Sequence, residues 1–173
     1  MCSLLAATAV GQGTLPIAVN LGKAKPNAVV EIVFNSDQED NGGWFAIAPD
    51  SASASTFKDY IVNDSCPALK LGDTLSLQNG SVASALQVLK DELATHPGGW
   101  DVFLPAVDTP KFNHADQIDS FVSVRITEVK DTGDPKYVKG TILTLGEAQS
   151  AQPGPGNPGG VPTGALAPPK LVL

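Results

Sequence analysis

The chain has 173 residues, 42% of them hydrophobic, and its 18 acidic and 11 basic side chains give a net charge of −7. This balance excludes a disordered chain, and the length suits one domain with a core of its own. The basic residues include a single arginine, Arg125, and form no cluster, so we expect no binding to nucleic acid or to an anionic membrane surface. No stretch reaches the ~20 apolar residues of a membrane-spanning helix.

The first half of the chain predicts three strands, a helix and a short further strand. β-branched runs cover 14–20 and 28–34, and a third run at 42–49 follows an acidic connection. The stretch 51–64 predicts a helix, because its serines can cap the N-terminus and its large apolar side chains share one helical face. Pro and Gly breaks then surround a short strand from Thr74 to Leu77.

The second half predicts one helix and three strands. Apolar residues at helical spacing make 81–93 the clearest helix, and 100–108 is typical of a buried strand. Pro105 inside that strand argues for an edge position or a bulge, because proline cannot donate to the ladder. Residues 120–130 alternate, and a DTGDPK turn links them to a hairpin partner at 137–145. We therefore expect a single α+β, mainly β domain with about six or seven mostly antiparallel strands and two helices.

Composition divides the chain into three parts. Residues 1–13 are apolar but lack the basic start and the long apolar run of a signal peptide, so they look like the continuation of a missing segment. The predicted elements place a globular domain at 14–146. Residues 147–173 are a Pro/Gly-rich tail with an apolar end, and their prolines exclude a helix or a ladder over most of that length.

The acidic stretch SDQEDNGGW at 36–44 is a candidate calcium loop. Asp37, Glu39 and Asn41 stand at the first, third and fifth positions of an EF-hand pattern, but position twelve, where a bidentate Glu belongs, is Ala48. A looser site would use the following carboxylates: Asp37, Glu39, Asp40 and Asp50. The alternative is a solvated hairpin tip without metal. Calcium is the only cofactor that the sequence suggests.

Signals for catalysis are sparse. His96 and His114 stand beside loop signals, and His114 with Asp116 and Ser120 would form a hydrolase triad if the fold brought them together in a pocket. No serine lies in a G-x-S-x-G elbow, and no dinucleotide fingerprint is present. We therefore expect no enzyme, and keep a secreted hydrolase or carbohydrate-active enzyme as the alternative.

The two cysteines, Cys2 and Cys66, fit no zinc pattern, because neither belongs to a CxxC and only two histidines are present. A disulfide between them and a buried free thiol at Cys66 are the two interpretations that the sequence leaves open.

The order of the segments resembles the envelope-exposed part of TadG-like proteins from the tight-adherence (Tad/Flp) pilus apparatus. The resemblance covers nearly the whole chain and rests on short motifs in a fixed order. These motifs are ATAVGQGTLPIAVN, GGWFAIAP, SASASTFKDYI, LKLGDTLSLQNG, VFLPAVD, DSFVSVRITEV, YVKGTIL and PPKLVL.

The resemblance implies a non-catalytic, extracytoplasmic component of bacterial pilus assembly or surface adhesion, whose partners are other envelope or pilus-assembly proteins. It also implies that residues 1–13 are the remnant of a membrane-proximal segment. The transmembrane helix that precedes this segment in the family is missing here, so membrane attachment would depend on that missing part. A calcium-stabilised adhesion domain is the third alternative.

Overall fold

A computed structural model describes residues 14–34 and 41–143 of the chain. These residues form one domain that is mainly β, as the sequence predicts. The strands are β1 (Ile17–Asn20), β2 (Val29–Val33), β3 (Gly42–Ile47), β4 (Thr74–Gln78), β5 (Trp100–Val107), β6 (Ala115–Gln117), β7 (Ser120–Lys130) and β8 (Tyr137–Ile142). The helices are α1 (Ala54–Val62) and α2 (Ala83–Leu93), and a 3₁₀ turn at Leu21–Lys23 follows β1.

The eight described strands form one curled sheet in the order β2-β8-β7-β5-β1-β3-β4-β6. Every neighbouring pair is antiparallel except β1 and β5, which run parallel. The sheet has one strand more than the upper end of the predicted count, because the short strand β6 pairs with β4 over only three residues. β2 and β6 are the two outer strands.

Of the two expectations for Pro105, the edge position is wrong, since β5 is an inner strand between β7 and β1. The parallel pairing with β1 is confined to Ala106 and Val107, with one further bridge between Thr14 and Phe103. Pro105 lies between these two contact points. The gap in the pairing allows an inner strand to include a residue without an N–H group.

The two helices form where the sequence places them. At the start of α1, the Ser53 hydroxyl accepts a hydrogen bond from the Thr56 N–H at 3.3 Å. Phe57, Tyr60 and Ile61 of α1 are all buried, as their spacing predicts. α2 buries Ala85, Leu86 and Leu89. Among the described residues, neither helix combines the length and apolar character needed to cross a membrane.

The sheet separates two apolar clusters. Both helices pack on one face, which we call the helix face. There the Trp44 ring lies between Phe34 and Phe57, with ring centroids 4.7 and 5.1 Å apart. The other face we call the loop face, because the segments 64–73 and 108–119 cover part of it. The cluster there combines strand residues Ala18, Phe45, Leu75, Leu77, Val107 and Phe121 with loop residues Cys66, Leu69, Phe112 and Ile118, and α1 reaches it through Tyr60.

Two glycines at the start of β3 allow this close packing. A Cβ on Gly42 would overlap the Ala18 carbonyl oxygen, and one on Gly43 would lie 2.8 Å from the Phe112 Cβ. Only a residue without a side chain lets β1 and the Phe112 loop approach the two sides of β3.

Candidate functional site

The predicted calcium ligands are only partly within the described residues. Asp37 and Glu39, like Asp40, lie outside them, so the calcium loop stays a prediction. Asn41 is described, and its side-chain amide donates a hydrogen bond to the Glu31 carbonyl oxygen at 3.0 Å. Its own carbonyl accepts the Asn20 N–H at 2.8 Å. Asn41 therefore ties β2 to the β1–β3 pair. Within 14–34 and 41–143, no group of three or more His, Cys, Asp or Glu side chains is arranged to hold a metal ion.

The three residues of the possible triad have separate structural contacts. His114 and Asp116 form a partly exposed pair with 3.4 Å between Nε2 and Oδ2, and Asp116 Oδ1 also accepts the Gln117 N–H at 2.8 Å. Ser120 is the first residue of β7, and its hydroxyl donates to the neighbouring Phe121 carbonyl at 3.4 Å. The pair therefore supports strand β6 at the outer end of the sheet.

The second histidine also has a structural contact. The His96 ring stacks on the Trp100 ring at a centroid distance of 5.0 Å and an interplanar angle of 4°. This contact fixes the connection between α2 and β5, which contains two glycines with positive φ, Gly98 and Gly99.

Among the described residues, which do not include Cys2, Cys66 is a free and buried thiol, in agreement with the second of the two cysteine interpretations. Burial, followed by the nearby Asp64 and Asp50 carboxylates, raises the pKa of the Cys66 thiol to about 12. The thiol therefore stays protonated at neutral pH, and it acts as a small apolar group in the loop-face cluster.

A polar cleft of about 290 Å³ opens beside α1 and is lined by Asp50, Ser55, Thr56, Asp59, Tyr60 and Ser65. The Tyr60 hydroxyl donates to Asp50 Oδ2 at 2.8 Å. Burial and this hydrogen bond raise the pKa of Tyr60, so the phenol remains a proton donor. The lining offers hydroxyl and carboxylate groups to a small polar molecule. The alternative of a carbohydrate-active enzyme stays a prediction.

Polar side chains stand in rows across β2, β8, β7 and β5, on the half of the loop face that no described segment covers. Their neighbours along each strand belong to the helix-face cluster, so strand alternation turns them to the loop face. We call this set the open ladder. It consists of Glu31, Asp101, Arg125, Glu128, Lys130, Tyr137, Lys139 and Thr141.

Contacts within the open ladder run from strand to strand. Glu31 and Glu128 both stand opposite Lys139, one from each side, and Lys139 Nζ lies 3.9 Å from Glu31 Oε2. Arg125 donates two hydrogen bonds to Asp101, at 2.7 and 2.8 Å. Three acidic and three basic side chains thus alternate over the surface, and its charges balance although the chain as a whole is acidic.

Tyr137 adds a neutral aromatic ring to the same surface. Its hydroxyl donates to Glu128, and this hydrogen bond, followed by burial, raises the pKa of Tyr137. The Lys130 ammonium lies 5.7 Å from the centre of the ring, in cation–π range.

Neither the cleft nor the open ladder was foreseen from the sequence. Arg125 and Asp101 are 24 residues apart, and Lys139 lies still farther from Glu31. Such pairs depend on strand register, which local spacing does not reveal. The only local signal was the alternation within 120–130, which does turn Arg125 to the polar face.

Comparison of the chain with protein-family models, with curated proteins and with solved structures finds no match.

Proposed function

We propose that this protein is a non-catalytic structural or interaction component of the bacterial cell envelope, acting in pilus biogenesis or surface adhesion. The order of its sequence motifs, which resembles that of TadG-like proteins, supports this role. In this proposal the protein acts outside the cytoplasm, and its partners are other envelope or pilus-assembly proteins.

The observation that carries the proposal is the open ladder. Its side chains stand on four neighbouring strands, so their positions are fixed by the backbone of the sheet. Contacts within the set, such as the paired hydrogen bonds from Arg125 to Asp101, already restrict the side chains. A surface ordered in advance loses less conformational entropy when a partner binds. The open ladder includes Tyr137 and Arg125, and tyrosine and arginine are among the residue types enriched at interfaces between folded proteins.

The experiment is deletion of the coding sequence in the source bacterium, followed by complementation. We expect deletion to reduce attachment to surfaces and the number of pili seen by electron microscopy, and the wild-type chain to restore both. Lys139→Glu should fail to restore them at equal protein level, because it places three acidic side chains side by side in the open ladder.

Lys58→Glu is the matched control, since it makes the same charge change on an exposed residue of α1. It should restore attachment like the wild type. Unchanged attachment and pili after deletion would contradict the envelope role. Equal restoration by Lys139→Glu and Lys58→Glu would show that the open ladder is not the interacting surface.

A further inference from the structure

Asparagine is followed by glycine twice in the chain, at Asn41–Gly42 and at Asn79–Gly80. Asparagine is one of the chemically labile residues of proteins, and in such a pair the backbone nitrogen of the glycine can attack the side-chain carbonyl carbon of the asparagine. The attack is easiest before glycine, because glycine has no Cβ to crowd the approach and reaches backbone conformations closed to other residues. The structure places the two pairs in different surroundings.

The first pair is held by the sheet. The Asn41 side-chain amide donates to the Glu31 carbonyl at 3.0 Å, and its backbone carbonyl accepts the Asn20 N–H at 2.8 Å. Gly42 is buried in β3, where it pairs with Val19 of β1. Attack by the Gly42 nitrogen needs rotation of the peptide between the two residues, and that rotation would break these contacts.

The second pair lies outside the helices and strands. Residues 79–82 connect β4 to α2, and none of the four is buried. Apart from its chain neighbours, a Cβ built on Gly80 would meet only the Gln78 side-chain nitrogen, at 3.7 Å. The connection therefore has room for the peptide rotation that the attack needs, and the rotation costs no strand pairing.

We propose that Asn79 is a site of spontaneous deamidation in the folded protein. The Gly80 nitrogen bonds to Asn79 Cγ, the C–N bond of the side-chain amide breaks, and the amide nitrogen leaves as ammonia with the proton of the Gly80 N–H. Water then opens the resulting cyclic imide at either carbonyl, which gives aspartate or isoaspartate. Water is consumed, ammonia is released, and nothing is oxidised or reduced. This inference does not depend on the proposed envelope function.

The reaction adds one negative charge to the connection that leads into α2. Val82, the N-cap of this helix, makes no side-chain cap, and the first turn contains no acidic residue. Negative charge on the N-terminal side of a helix is favoured by the helix dipole. We therefore expect the aspartate product to remain folded, so that it accumulates with time as a more acidic form of the protein.

The test is incubation of the folded, full-length chain at mildly alkaline pH, followed by digestion and mass spectrometry of the peptides. Asn41 is the internal control, because it precedes a glycine in the same molecule. We expect deamidation of Asn79 to be at least about tenfold faster than that of Asn41, since even one hydrogen bond that must open can slow a reaction by such a factor. In urea, where the chain is unfolded, the two rates should become similar.

Two variants identify the reaction. Gly80→Ala should slow deamidation of Asn79 and leave the fold intact, because the φ of Gly80 is not positive and a Cβ has room there. Asn79→Asp carries the aspartate product from the start, and on ion exchange it should elute with the more acidic form of the aged wild type. Circular dichroism establishes that both variants are folded.

Equal rates at Asn41 and Asn79 in the folded protein would overturn the proposal, since the sheet would then give no protection. Deamidation of Asn79 in urea alone would also overturn it, because the folded connection would then be closed to the attack. An unchanged rate at Asn79 in Gly80→Ala would exclude attack by the Gly80 nitrogen.

Discussion

The loop face has two halves on one continuous sheet: described loop segments cover one half, and the open ladder occupies the other. In one half, Phe45, Leu75 and Leu77 lie beneath Phe112 and Ile118 from the loops. In the other half, the open ladder presents charged and polar side chains to solvent. Strands β5 and β7 contribute to both halves, with Phe121 buried and Arg125 partly exposed on the same side of β7. The positions of the loops, and not those of the strands, therefore decide which half of this face is buried.

The comparison shows that strand composition follows the presence of a covering segment. Where loops supply large apolar side chains, the strand positions beneath are apolar, and burial of that surface stabilises the fold. Where no described segment covers the strands, the positions carry balanced charges, whose exposed pairs contribute little to stability. The covered half is thus a second core, whereas none of the described segments packs on the open half.

Phe112→Ala tests the covered half and has the largest expected effect. Phe112 is fully buried against Gly43, and its removal leaves a cavity between the loop and β3. We expect a loss of about 3–5 kcal/mol in the free energy of unfolding, and a fall in melting temperature of roughly 10 °C. Tyr137→Ala is the control, since it removes an aromatic ring from the open half. Equal losses in the free energy of unfolding for the two variants would show that the two halves contribute equally to stability.

Asp131→Asn tests a partly buried polar contact that belongs to neither half. Asp131 is 6% exposed and accepts a hydrogen bond from Lys90 Nζ at 2.7 Å, which ties α2 to the turn after β7. This hydrogen bond is the main reason that the pKa of the carboxyl lies below its ordinary value of 3.8. The folded state therefore gains stability from the carboxylate above that pH and loses it as the pH falls through the lowered pKa.

We accordingly expect the variant to be less stable than the wild type at neutral pH. The difference should shrink as the pH falls below 3.8, the ordinary value for the carboxyl. Urea unfolding of both proteins, from neutral pH to below 3.8, measures this difference in stability. A difference that stays constant with pH would show that the lost contact is one of packing and not of charge.

Lys139→Ala tests the open half and has the smallest expected effect. Its contact with Glu31 is long, at 3.9 Å, and both side chains are more than a third exposed. We expect a change below about 0.5 kcal/mol in the free energy of unfolding, measured by urea denaturation. A loss comparable to that of Phe112→Ala would mean that the open ladder is structural, which would remove the basis for treating it as a contact surface.

Much of the fold could be predicted because its strong periodic patterns are local. The alternation at 120–130 coincides with β7, and the helix predicted at 81–93 differs from α2 by two residues at its start. Strand β6 could not be predicted, because Ala-Asp-Gln has no apolar alternation and becomes a strand only by pairing with β4. Pro105 left an edge position and a bulge open for β5, because the residue signals the missing N–H group but not the local gap in pairing.

The candidate sites were harder to predict than the fold. Sequence reasoning grouped His114, Asp116 and Ser120 as a possible triad, whereas the contact between His114 and Asp116 supports the outermost strand and Ser120 bonds to its neighbour Phe121. The role of Asn41 as a calcium ligand stays a prediction, and spacing gave no sign of the hydrogen bond that its amide donates to the Glu31 carbonyl. Side-chain type and spacing identify what a residue can do, and the register of distant strands decides which partner it has.

The pairing of β2 with β8 has a consequence for how the chain folds during synthesis. Val29 pairs with Thr141, which leaves the ribosome more than a hundred residues later. Closing so long a loop is entropically costly, and folds with many such distant pairs fold slowly. The nascent chain must therefore hold an apolar strand unpaired until nearly the whole domain has been made. Glu31 is the only charge in that strand, and its solubilising effect is needed most during this interval, before the native sheet exists.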